Sequence, residues 1–157
     1  MINLLLKNLF FTLLQPGSVV GLIPYFFLEG KIAAAFTERI RFIQFLGAGI
    51  LLMGTFILLN CVLRFPYEAN GTISPFVRSK KLLTTGLYNY SRNPMYIGVI
   101  MILVGESIFF KSGALWMYSF FVFIGFHLYL VLFEELRLRK DFGKEYDAYY
   151  KKVRRWI

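Results

Sequence analysis

Residues 42–63 read FIQFLGAGILLMGTFILLNCVL and contain no charged side chain. A hydrocarbon core takes about 20 helical residues to cross. In lipid, only a helix can satisfy all its backbone N–H and C=O groups within one segment. Residues 8–28 and 112–133 are also free of charge. A fourth apolar stretch, 93–110, is interrupted only by Glu106. The sequence therefore predicts an all-α, multi-span integral membrane helix bundle, with crossings at about 8–28, 42–63, 94–111 and 113–133. Pro16, Gly17 and Pro24 predict a kink or a break in the first crossing. No cleavage site of small residues follows that run, so a retained helix is expected there. Residues 1–157 are expected to form one unit.

Composition supports this reading. Hydrophobic residues make up 57% of the 157 and charged residues 17%, with a mean hydropathy of +0.58. A soluble fold of this length leaves too much surface exposed to hide so much apolar matter, which excludes an ordinary soluble globule, and disorder with it. Cys61 and His127 are the only residues of their types. A disulfide framework and a Cys- or His-rich metal site are thereby excluded, and no metal is expected. The net charge of +9 fits basic flanks facing anionic lipid better than a nucleic-acid partner.

With four crossings, fourteen Lys and Arg fall on the side of both termini and four on the other. The positive-inside rule then predicts a plasma (inner) membrane protein with both termini in the cytoplasm. Residues 134–157 carry thirteen charges, yet Phe142, Tyr146, Tyr149, Tyr150 and Val153 recur at helical spacing. This predicts a C-terminal amphipathic cytoplasmic helix on the membrane face or folded back over the bundle. The basic run at 151–155 is expected to face lipid, and Gly47-Ala48-Gly49 to mark close helix packing.

Polar residues gather in two places at the predicted cytoplasmic ends. The first is GLYNYSRNPMYIG, residues 86–98. Asn93-Pro94 suits the start of a helix, with Asn as cap and Pro at the first helical position. Tyr88, Tyr90 and Tyr96 supply aromatic faces for a cation such as a sulfonium, or alternatively an interfacial belt. The second is FEELRLRKDFGKEYDAYYKKV, residues 133–153. Glu134 and Glu135 either bind an amino group there or pair along the helix end.

Taken in order, these pieces resemble a known family. Gly86, Tyr88, Arg92-Asn93-Pro94-Met95-Tyr96, Glu134-Glu135, Phe142-Gly143, Tyr146 and Tyr149 are similar to the isoprenylcysteine carboxyl methyltransferases and their phospholipid methyltransferase relatives. The resemblance covers about residues 78–155. It implies an enzyme that uses S-adenosylmethionine (SAM) at the cytoplasmic face, on a lipophilic or lipidated acceptor delivered by the membrane. By position it places cofactor contacts on Lys80, Lys81, Leu82, Leu83, Tyr88, Asn93, Pro94, Met95, Tyr96, Glu134 and Glu135, beneath a closing C-terminal segment. A helix start at Asn93 would offer N–H groups to a carboxylate, and Glu134 would pair an ammonium.

Three positions depart from the family pattern. Asn93 stands for the usual His, Val153-Arg154 for Val-Pro, and Leu130 for the Arg that helps prenylcysteine enzymes hold substrate. The last puts a prenylcysteine acceptor in doubt. Candidates for the chemistry are His127, Arg92 and Asn60. His127 shares a helical face with Glu134 and reads either as a base or as an interhelical hydrogen-bonding group. Asn60 reads the same two ways. Glu106 lies about 15 Å along the helix from Tyr96 and is expected to be structural. Two other readings stay open: an NADPH-dependent membrane reductase of sterol-reductase-like plan, and a non-catalytic scaffold. The acidic pair disfavours an anionic nicotinamide phosphate.

Overall fold

The structure, a computed structural model, describes residues 10, 14–28, 31–32, 37, 41–68 and 81–156, without the side chains of 66–68. Every regular element among them is helical. Helix α1 runs over Ser18–Phe27 and α2 over Phe42–Glu68. A 3-10 turn at Gly86–Asn89 precedes α3, Pro94–Phe109. Helix α4 covers Gly113–Phe142, and α5 covers Lys144–Lys152.

Two helices, α2 over Phe42–Phe65 and α4, are long and apolar enough to cross a membrane, where the sequence predicted four crossings. Helix α3 has 16 residues, because Pro94 opens it and the chain turns away at Lys111, whose φ is 49°. At 1.5 Å per residue it measures about 24 Å, less than a hydrocarbon core of about 30 Å. Part of the expected 8–28 crossing lies outside the described residues. Phe42, Phe45, Leu52 and Phe56 on α2, with Phe120 and Phe121 on α4, are exposed. The core helix of a soluble protein would bury such side chains, whereas lipid solvates them. The chain is a membrane protein.

Helix α1 begins after Pro16 and does not break at Pro24. A π turn, Ser18–Leu22, leads up to Pro24, which sits in the first turn of Ile23–Phe27. The wider turn gives room for the ring of a proline that lacks an N–H. The Tyr118 hydroxyl donates to the Val19 carbonyl at 3.0 Å, tying α1 to α4.

Helices α2 and α3 pack almost backbone to backbone. A Cβ at Gly54 would lie 2.7 Å from the Gly98 carbonyl oxygen, and one at Gly105 would lie 2.6 Å from the Leu51 nitrogen. Gly47 is as tight, at 2.7 Å from the Phe109 nitrogen. Gly49 has open space around it, so the expected Gly-Ala-Gly contact belongs to its first glycine alone. Leu58 and Val62 of α2 meet Val99, Ile102 and Leu103 of α3 in the core. On the other side of α3, Ser107 and Ser119 Oγ atoms lie 3.3 Å apart.

The expected single C-terminal helix is two helices. Helix α4 continues through a π turn at Leu130–Glu134 to Phe142. Gly143 then adopts φ 51°, ψ −122° and restarts the chain as α5. That conformation is open only to glycine without strain. Helix α5 buries Tyr146 and Tyr149, which pack with Val153, Leu82, Leu138 and Phe142.

Candidate functional site

The site forms where the 86–96 turn meets the π turn of α4. Gly86 makes the turn possible in two ways. Its φ is +61°, and its missing side chain admits the Arg64 guanidinium, whose Nη1 a Cβ would strike. The 3-10 turn that follows carries Tyr88 inward. The Tyr149 hydroxyl donates to the Tyr88 carbonyl at 2.7 Å, and the Tyr88 hydroxyl is hydrogen-bonded to the Cys61 thiol. Burial, followed by the nearby Cys61, Glu134 and Tyr149, raises the Tyr88 pKa well above the usual tyrosine value. Burial also raises Tyr149 and Tyr146, where the Arg92 guanidinium opposes it. All three therefore remain neutral hydroxyls at ordinary pH.

Pro94 opens α3, as its fixed φ favours. One turn on, the Tyr96 hydroxyl donates to Glu134 Oε2 at 2.7 Å. The Tyr96 ring meets Phe126 edge-on, with centroids 4.8 Å apart. Two residues 38 apart in sequence thus share one short hydrogen bond.

Asn93 does not cap α3. Its side chain makes no cap hydrogen bond and its Nδ2 donates to the Arg155 carbonyl at 3.0 Å. The reason lies in the tail. Residues 153–156 cross the turn as an extended strap, and their carbonyls need buried donors. The Arg92 N–H serves Arg154 at 2.9 Å, and the Ser91 hydroxyl serves Arg155 at 3.1 Å. Without a side-chain cap, the first-turn N–H groups of α3 keep the anion-favouring character of a helix start.

Glu135 and Arg92 sit in a separate clamp. Arg155 donates from Nε to Glu135 Oε1 at 2.7 Å and from Nη2 to Oε2 at 3.0 Å. Arg92 Nη1 lies 3.2 Å from the same Oε1 and donates to the Tyr146 hydroxyl at 3.2 Å. The Arg92 guanidinium also lies 4.0 Å over the Tyr150 ring. Arg155 therefore turns inward, whereas the sequence placed all of 151–155 on the lipid; Lys151, Lys152 and Arg154 are exposed.

The other predicted residues scatter. Lys80 lies outside the described residues. Lys81 is exposed, and Leu83 is buried. Leu82 packs against the Tyr146–Tyr149 cluster, and Met95 packs against the α2–α3 core. Pro94 is buried. His127 faces the strap: the Trp156 indole N–H donates to its Nδ1 at 3.4 Å, and the two rings stack. Asn60 is half-buried on α2, beside Cys61. Leu130 is fully buried.

Sequence reasoning missed three residues here: Cys61, Arg155 and Trp156. For Arg155 one signal existed, since an Arg two residues past a buried apolar position such as Val153 sits at the same extended-chain face. For Cys61 and Trp156 no local pattern marks the contact.

The family model for phospholipid methyltransferase matches residues 42–145, from the start of α2 into α5. The match takes in Cys61, Tyr88, the Arg92–Tyr96 turn and both acids. No curated protein and no solved structure matches the chain. A membrane-exposed helical chain with its polar groups gathered on that stretch, and a family match over more than half its length, leave one conclusion: the chain belongs to the phospholipid methyltransferase family and is a membrane methyltransferase.

Proposed function

We propose that this chain transfers a methyl group from SAM to a lipophilic acceptor that arrives through the membrane. The observation that carries the reading is the Glu134 carboxylate, with Tyr96 donating to Oε2 at 2.7 Å and Tyr88 beside it. The donor set fits the cofactor. Oε1 of Glu134 would take the ammonium, the uncapped first turn of α3 would take the carboxylate, and the Tyr88 and Tyr96 rings would face the sulfonium. When bound, SAM supplies an electrophilic methyl group. The chain's own residues align the partners and exclude water. Tyr96 holds Glu134 in place, and the apolar helices keep the site dry.

In this reading the chain crosses the inner membrane four times, with α1 and α3 as the shorter crossings and both termini in the cytoplasm. The excess of Lys and Arg on that side supports it. The acceptor is lipophilic, and a prenylcysteine carboxylate is disfavoured for that role, because Leu130 is fully buried and apolar and offers a carboxylate nothing.

The test is calorimetry of SAM binding to the purified protein in detergent, beside Glu134→Gln. We expect micromolar binding in the parent, weakened about tenfold or more in the variant. No binding in a folded, monodisperse parent removes the cofactor assignment.

A further inference from the structure

Glu134 and Glu135 are neighbours in sequence but have different partners. Glu134 meets Tyr96, whereas Glu135 meets Arg155 and Arg92. What separates them is the π turn, in which the Glu135 N–H bonds to the Leu130 carbonyl, five residues back. In an α register the same N–H would reach the residue four back. A π turn holds one extra residue and rotates everything after it by roughly 100° relative to a continuous α-helix. If the turn relaxed to α, Glu134 would swing into the direction that Glu135 now holds. Both arginines would then face Glu134, and Tyr96 would lose its acceptor. Charge alone does not choose between two adjacent carboxylates, so something must hold the wider turn.

We infer that Arg155 is a positioning residue: its two-pronged clamp on Glu135 holds α4 in the π register that presents Glu134 to Tyr96. The clamp is fixed at both ends. The Arg155 guanidinium binds both carboxylate oxygens of Glu135, a geometry that fixes direction as well as distance. The Arg155 carbonyl is held by Ser91 and by Asn93. One residue of the strap thus joins the turn that starts α3 to the acid pair that ends the π turn. The Trp156 indole on His127 anchors the strap one residue further along. Arg92 alone is a weaker guide, because the Nη1 that lies 3.2 Å from Glu135 Oε1 also donates to the Tyr146 hydroxyl.

The SAM effects of this inference rest on the proposed function, but the Tyr96–Glu134 geometry does not. The experiment therefore reads both, on the full chain in detergent. First, 3-fluorotyrosine is placed at position 96 and its fluorine resonance recorded in the parent, in Glu134→Gln, in Arg155→Gln and in Arg155→Lys. Arg155→Gln is expected to move the resonance at least about halfway to its Glu134→Gln position, and Arg155→Lys, which keeps the charge without the fork, by less. A resonance unmoved in Arg155→Gln overturns the inference. If Arg155→Gln does not fold, an unmoved resonance in Arg155→Lys does so. Second, Arg155→Gln should weaken SAM binding about tenfold in the parent, but less than about threefold when Tyr96 is already Phe, because both substitutions remove one interaction. Equal losses in the two backgrounds mean that Arg155 only stabilises the fold, and the inference fails. A parent that binds no SAM defeats the proposed function and leaves the fluorine result to decide this point.

Discussion

Between α2 and α3, four glycines let backbone meet backbone, and the contact works because side chains are absent. Where the α3 turn meets α4 and the strap, contact is made by the longest charged side chains in the protein reaching across gaps. The first interface tolerates no added atom. The second tolerates no lost one. A membrane helix pair gains little by hiding apolar surface from lipid, so close approach must supply the attraction. A buried ion cluster gains only if every charge keeps its partner. The two regions should therefore fail under opposite kinds of substitution.

The largest effect is expected from Glu135→Ala. It leaves Arg92, whose side chain is 7% exposed, without its carboxylate. Breaking such a pair costs about 3–5 kcal/mol, to be read as a lowered midpoint in thermal unfolding in detergent. A midpoint close to the parent's would show that water or lipid phosphate replaces the carboxylate, and would dissolve the contrast.

Gly54→Leu comes next. Its Cβ would meet the Gly98 carbonyl and the Ile102 nitrogen, and such overpacking costs about 1–3 kcal/mol or more. The same unfolding assay checks it. If Gly54→Leu is neutral, the helices do not approach as closely as described. The smallest effect belongs to Gly49→Ala, five residues away with nothing within 4 Å. There a better helix former should leave stability unchanged or raise it by up to about 1 kcal/mol. A loss at Gly49 matching that at Gly54 would mean that glycine content, and not position, matters on α2.

The same contrast explains what the sequence disclosed. Helix α2 was legible because a charge-free run of its length has one reading in lipid. Helix α3 was legible nearly to its ends: Asn93-Pro94 marked its start, and it stops at Phe109, two residues short of the expected end, where the chain turns at Lys111. Tyr88, Tyr96 and Glu134 could be named through a resemblance, and the structure brings them together. Glu135 and Arg92 were named with them but lie in the clamp. Asn93 read as a cap because local chemistry favours it. Its actual partner is 62 residues away, and no spacing rule reaches that far. Gly47 and Gly49 looked alike in sequence because helical phase, not identity, decides which of them meets α3.

The glycine contacts also set how the molecule can move. On α2 the pair Gly47 and Gly54 is spaced by seven, as is the pair Gly98 and Gly105 on α3, and the two pairs meet head to tail. Sliding one helix by a single turn, about 5.4 Å, would bring side chains such as Leu51 and Ile102 onto the notches. Helices α2 and α3 are thus keyed at two points and travel as one strut. In the proposed reading a bulky acceptor enters along α4 or α1, whose contacts with α3 are made by side chains that can change rotamer.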